Sequence, residues 1–378
     1  MTLMQAQPDV AAQEIPGRGG NDMVRPPRAL LLEQQHADEC VLDTGLARKL
    51  LEEGGYRRLP VPSVVVYRIE AGGHQQTGIV VEASVQDYRE GRIRKHEATQ
   101  PERERLLDMS TADAGFEQLP VTLTHTGRDG LHAMLQEVTS GTPRLRMGSA
   151  GESTHTVWVA DDPDLQRAVR GELGGIDRLY IADGHHRIAA AERYASRRAR
   201  PASAFTLAVL FPREQMRVLG YHRCLHRPAG YSTAELLAAV AAQPAADSVE
   251  PYAAEARPAA GEVAMYLDGQ WFRITLTAPG VHADARASLD AVALDERVLA
   301  PLARSVGLDP DDAVTPVPGS SPREFTRWCE LHGSIGFVPC PPSVDGIMAV
   351  SDADQVMPPK STWFDPKAGA GIFLRELQ

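Results

Sequence analysis

A mixed α/β fold is what this sequence predicts, on three observations. Short β-branched runs alternate with segments of helical spacing through the first half of the chain, and Phe205-Thr206-Leu207-Ala208-Val209-Leu210-Phe211 is a continuous apolar run suited to a strand buried on both faces. A second hairpin pattern, Val263 to Leu276 with Asp268-Gly269 at its turn, lies beyond an Ala/Pro-rich stretch at 243–261. The 378 residues, 43% hydrophobic and 24% charged, are enough for one large or two smaller α/β units.

The elements follow in order. Residues 1–24 are rich in Gly, Gln and Pro, lack hydrophobic periodicity and lack the basic start and apolar core of a secretory signal, so they are expected to be a disordered leader on a cytoplasmic protein. Leu46 to Glu53 has helical spacing and stops at Gly54-Gly55. Ser63 to Ile69 and Thr77 to Ala83 form a hairpin around Ala71-Gly72-Gly73-His74. The dense charge from Tyr88 to Arg105 reads as a solvated loop running into an exposed helix that starts near Pro101. Val121 to Thr124 and His155 to Val159 are strands, and Asp162 caps a helix from Pro163. The tail from Val356 to Lys367 is too proline-rich for regular structure. The predicted organisation is a leader (1–24), a core (25–242) and a C-terminal α/β region (243–378) whose Pro-rich tail returns to the site.

Charge and cysteine usage exclude some functions. A net charge of −11 argues against a nucleic-acid backbone as the main partner, because that binding runs on clustered Lys and Arg. Cys40, Cys224, Cys329 and Cys340 form no CxxC pair, which points to reduced thiols and away from a zinc site or a disulfide framework. No stretch approaches the length of a membrane span.

The chemistry is concentrated at Leu179 to Arg193, where an apolar run ends in Asp183-Gly184-His185-His186-Arg187 and restarts as a strong helix former. That is a strand, a tight turn and a helix start, whose free N–H groups and dipole favour a phosphate. In the functional reading Gly184 lets backbone approach the ligand, Arg187 and a histidine hold phosphate oxygens, and Asp183 holds Mg²⁺ or orients a histidine. In the plainer reading Asp183 is only the helix N-cap. Lys95-His96-Glu97 is a second cluster: either solvated, or a carboxylate that accepts a proton from an attacking hydroxyl beside a charge-balancing lysine. Lys360-Ser361 is either a phosphate clamp or part of a surface arm packed by Trp363 and Phe364. A metal-dependent hydrolase using these histidines and carboxylates is a lesser alternative, since HEXXH and HXH spacings are absent.

These same segments, YIADGHHRIAAAERYA, RKHEAT, HTVW, LAVLFP, MYLDGQWFRI, SLDAVALDERVLAPL and VMPPKSTWFDPK, together resemble the bacterial and archaeal domain-of-unknown-function family 1015 over roughly residues 60–378. The DGHHR turn also looks like the DGHTR-type motif of the ParB/sulfiredoxin-like fold, whose members hold nucleotide phosphates on this strand-turn-helix and include free-serine kinases. That resemblance implies a ParB/sulfiredoxin-like core with Asp183, Gly184, His185 and Arg187 lining a phosphate pocket and Glu97 as the base. His186 stands where those kinases have Thr. The Pro-Pro-Tyr-Asp-Val stretch usual near the family's N-terminus is missing.

The expectation is therefore a small-molecule kinase that uses Mg²⁺ and transfers a phosphoryl group from ATP or ADP to serine or a related hydroxy amino acid, compatible with a homodimer. Its catalytic residues would be Glu97, His96, Asp183 and His185. Lys95, Gly184, His186, Arg187, Lys360 and Ser361 would bind the nucleotide, and Asp183 the metal. The alternative is a non-catalytic nucleotide-binding regulator.

Overall fold

The computed structural model describes residues 23–37, 43–60, 62–149, 153–198, 200–253, 257–280, 282–319 and 321–377. Most of the expected leader (1–22) and Cys40 lie outside them. The leader's last two residues do not behave as a free arm. Met23 and Val24 are buried, and Val24 pairs with Ala83, because two apolar side chains gain more by packing on the sheet than by staying in water.

The larger sheet has nine strands. Its order is Ile93–Arg94, Leu179–Asp183, Val121–His125, Phe205–Pro212, His74–Ser84, Val64–Ala71, Ser153–Ala160 and Leu145–Ser149, with Val24–Arg25 also on His74–Ser84. Phe205–Pro212 runs parallel to Val121–His125 and antiparallel to His74–Ser84, so the sheet is mixed and the α/β class is as expected. The strand is also buried on both faces. Leu207, Val209 and Phe211 enter one core with Tyr67 and Phe373, while Ala208 and Leu210 enter the other with Val66 and Leu123. The hairpin around Gly72-Gly73 and the helix capped by Asp162 stand as predicted.

A second sheet runs Ala246–Pro251, Gln270–Leu276, Glu262–Leu267, Ser334–Pro339, Val218–His226 and Val314–Pro318. Two departures from the sequence reading follow. Val218–His226 already belongs to this sheet, ahead of residue 242, because its partner strands come from more than 85 residues later in the chain. The Ala/Pro-rich segment carries an edge strand, Ala246–Pro251, where a proline without an N–H is tolerated. Cys224 and Cys329 are buried free thiols here, with Sγ atoms 3.8 Å apart.

A small third sheet, Tyr56–Arg58, Leu30–Leu32, Phe373–Glu376 and Phe116–Glu117, returns the C-terminus to the first core. Two further expectations are corrected. The charged run after Tyr88 is not all solvated: Ile93 and His96 are buried, and Ile93–Arg94 pairs parallel with Leu179–Tyr180. In the proline-rich tail, Thr362–Phe364 is a strand on Val218–Gly220, since the prolines flank it without occupying it.

Candidate functional site

The strand Leu179–Asp183 buries Leu179 to Ala182 and delivers Asp183 to the open end of the sheet. Gly184 then turns the chain with φ of 101°, a left-handed value that favours glycine, and is itself the N-cap of the helix His185–Arg197. No side chain caps this helix, so Asp183 is not the cap of the plainer reading. Its Oδ2 accepts from Arg187 at 2.6 Å and its Oδ1 from Lys367 Nζ at 3.0 Å. Burial alone would raise the Asp183 pKa, but the charges of Arg187 and Lys367 bring it down to about 2.

Glu97 belongs to the same site by a different route. The edge strand Ile93–Arg94 carries the following residues across the end of Leu179–Asp183, and the strand Thr362–Phe364 approaches from the tail. Thr362 Oγ1 donates to Glu97 Oε1 at 3.1 Å, and His185 Nδ1 lies 3.7 Å from Oε2. His96 is wholly buried behind the carboxylate, with Nε2 3.1 Å from the same Thr362 hydroxyl. A threonine has one proton to give, so with that proton on Glu97 the His96 Nε2 must be the donor to Thr362. The backbone N–H of His96 meets His185 Nε2 at 3.5 Å, which leaves the proton of His185 on Nδ1, facing Glu97. Both rings are neutral. Burial lowers His96 to about 4 and His185 well below the usual histidine value, the latter with help from His96. Glu97 is shifted the opposite way to Asp183, upward, chiefly by burial.

These groups border a cavity of about 860 Å³. Glu97, Asp183, Gly184, His185, His186, Arg187 and Lys360 line it. Lys360 has φ of 59°, its carbonyl accepts from Arg223 at 3.0 Å, and its ammonium sits over the Tyr221 ring. Arg223 is in turn held by both oxygens of Asp295 at 2.8 Å. His186 spends Nε2 on the backbone N–H of Gln100, at the start of the helix Pro101–Ala114.

Three expected residues stand elsewhere. Lys95 is exposed and does not line the cavity. Ser361 is buried and donates to the Pro358 carbonyl at 2.7 Å, which fixes the tail's turn. His96 does not line the cavity and touches it through Thr362, Glu97 and His185, which do. Sequence reasoning missed Thr362 and Lys367, which line the cavity beside Tyr221 and Arg103. Both lie in the PPKSTWFDPK segment, and their positions depend on the tail's pairing with Val218–Gly220.

Ligand atoms of His96, Glu97 and His185 lie within 4.8 Å of one another, close enough to consider a metal. Binding one would take His96 Nε2 from Thr362 and move the His185 proton onto Nε2, against the His96 N–H. The hydrogen-bond pattern suits a held carboxylate better than a metal centre.

The DUF1015 family model, for a protein of unknown function, matches residues 33–296, starting ahead of the resemblance read from sequence and stopping short of the tail. No curated protein matches the chain. Similar solved structures include SbnI with a C-terminal truncation from Staphylococcus aureus (14% identity, TM-score 0.39, covering 77% of this chain and 85% of that one). They also include a free serine kinase mutant in complex with ADP (15%, 0.37, 76% and 87%) and a conserved hypothetical protein from Pyrococcus furiosus (13%, 0.37, 79% and 95%).

Proposed function

The chain belongs to the DUF1015 family, and from the cavity its residues build we propose that this protein is a phosphotransferase that moves a phosphoryl group from ATP or ADP to the hydroxyl of serine or a related hydroxy amino acid. One observation carries the reading. Two carboxylates border one cavity at a helix start that no side chain caps, in opposite settings: Asp183 is held between the cations of Arg187 and Lys367, while Glu97 meets the Thr362 hydroxyl and the neutral ring of His185. Such a pair supplies a fixed anion and a proton acceptor in one site.

In this reading the helix start at Gly184, with Arg187, holds donor phosphate oxygens. Glu97, held by Thr362 and His185, accepts the proton of the acceptor hydroxyl as its oxygen bonds to phosphorus and the bond to the nucleotide leaving group breaks. Lys360 and Lys367 neutralise charge on the transferred group. Were Mg²⁺ to bind, Asp183 would be the residue to hold it, since its carboxylate stays ionised at the border of the cavity. When bound, the ion supplies charge neutralisation of the phosphates.

The test is phosphorus NMR with mass spectrometry on the purified chain with Mg²⁺, ATP or ADP, and hydroxy amino acids led by serine. A new phosphomonoester that disappears in Glu97→Gln supports the kinase. Nucleotide binding without product from any acceptor makes the protein a regulator that senses nucleotide.

A further inference from the structure

The segment SLDAVALDERVLAPL, residues 288–302, stands outside the cavity lining, yet it reaches the site through two arginines. It forms a helix that widens into a π-helical turn at Asp295–Leu299, and two consecutive carboxylates open that turn. Glu296 pairs with Arg286. Asp295 takes Arg223 in a two-pronged pair, Nε to Oδ1 and Nη2 to Oδ2, both at 2.8 Å. Each arginine then gives a further N–H to the tail: Arg286 Nε donates to the Val356 carbonyl at 2.9 Å, and Arg223 Nη1 to the Lys360 carbonyl at 3.0 Å.

The two holds are unequal. The side chains of Arg223 and Asp295 are 5% and 20% exposed, against 30% and 49% for Arg286 and Glu296, so water and salt weaken the second pair more. Arg223 is also the better placed. The tail's backbone ladder with Val218–Gly220 ends at Thr362, opposite Gly220, and Lys360 lies beyond that end at φ of 59°, a conformation that a residue other than glycine keeps only where its surroundings hold it. Three residues past Gly220 on the same strand, Arg223 supplies the donor that the ladder no longer does. Tyr221 shares that face of the strand, and its ring lies 5.8 Å from the Lys360 ammonium. One strand therefore holds both ends of Lys360, and two residues on, Thr362 donates to Glu97.

We propose that Arg223, locked by Asp295, is a positioning residue for the transfer: it fixes the turn at Lys360 so that the Lys360 ammonium and the Thr362 hydroxyl are presented to the cavity together. The assignment rests on the phosphotransferase reading above. It adds that the second sheet and its π-helical turn set the tail on which the base and the charge neutralisation depend. A lysine at 223 cannot do the same, because one ammonium does not reproduce a planar fork that serves Asp295 with two N–H groups and the tail with a third.

The test uses the full chain and Arg223→Lys, which keeps a cation beside Asp295 and loses the fork. Turnover with ATP and serine is expected to fall about ten-fold or more while the KM for ATP changes less than about three-fold, since the tail's groups are misplaced where charge moves. Hydrogen exchange gives a reading independent of turnover: amides at 360–364 should exchange about ten-fold faster or more, with those at 221–226 unchanged. Should Arg223→Lys fold poorly, Asp295→Asn keeps the guanidinium, removes its charge partner and is expected to shift both readings in the same direction. Unaltered turnover, equal losses in kcat and in ATP binding, or unaltered exchange at 360–364 overturns the assignment. Faster exchange spread over the whole second sheet makes Arg223 a core residue and overturns it too. If the unaltered chain transfers no phosphoryl group, the phosphotransferase reading fails by itself, and exchange at 360–364 alone decides whether Arg223 holds the tail.

Discussion

Glu97 and Asp183 do different work because of their neighbours. Glu97 is an accepting base only when ionised, and burial raises its pKa, so the rate of the proposed transfer should rise with pH through that elevated value. Glu97→Gln should cost about 10²–10⁴-fold in turnover with nucleotide affinity retained, as read by single-turnover assays and calorimetry. Asp183 has the opposite linkage. Its folded pKa of about 2 lies below the ordinary 3.8, so its contribution, about 2 kcal/mol, is present above pH 4 and is lost as pH falls through 2. His96 and His222, both lowered to about 4 by burial, act at higher pH: the unfolded chain takes up their protons first, so stability falls as pH drops from about 6.5 toward 4. Urea unfolding at pH 7, 5.5 and 4 should show successively lower midpoints, and an unchanged midpoint between 7 and 4 would contradict the buried neutral histidines.

At the scale of elements, the strand-glycine-helix unit at 179–197 was legible because its signals are local: an apolar run, a glycine at positive φ and an alanine-rich continuation. The segment before Pro101 was less legible. Its charges suggest solvent, yet Ile93 pairs with Leu179 and His96 is enclosed by residues from 185 and 362. The tail strand Thr362–Phe364 was not legible at all, and it supplies the hydroxyl that links His96 to Glu97. Thr362→Val keeps the shape and removes the link. We expect turnover to fall about ten-fold or more with the acidic limb of the pH profile displaced, nucleotide affinity unchanged, and recovery in Thr362→Ser. A valine variant with the pH profile of the unaltered protein would reduce Thr362 to a packing residue.

At the scale of the whole molecule the C-terminal tail joins the two larger sheets: Thr362–Phe364 pairs with Val218–Gly220 of the second, and Phe373 and Leu374 enter a core of the first. The C-terminal strand Phe373–Glu376 pairs with Leu30–Leu32 and Phe116–Glu117, and Arg375, almost fully buried, meets Glu82 at 3.2 Å and Glu117 at 3.3 Å. Removing the guanidinium leaves Glu117 without its cation and the buried Glu82 with Arg25 alone. Arg375→Ala is expected to destabilise by about 3–5 kcal/mol in chemical denaturation, and Arg375→Met in combination with Glu82→Gln by much less. Among the described residues no helix is long and apolar enough to cross a membrane.

By itself the sequence determined the mixed α/β class, the doubly buried strand at 205–212, the hairpins, the family, and the strand-turn-helix that presents Asp183, Gly184 and Arg187. Each of these is written in residues close together in the chain, where periodicity, turn chemistry and helix propensity act. Only the tertiary structure decided that Val218–His226 joins the second sheet, that Lys95 and Ser361 stand off the cavity, and that Thr362 and Lys367 close onto Glu97 and Asp183 from 265 and 184 residues away. Those contacts arise when strands distant in sequence find hydrogen-bonding edges, and pairing of that kind is chosen by the packing of the whole chain, with no signature in any local stretch.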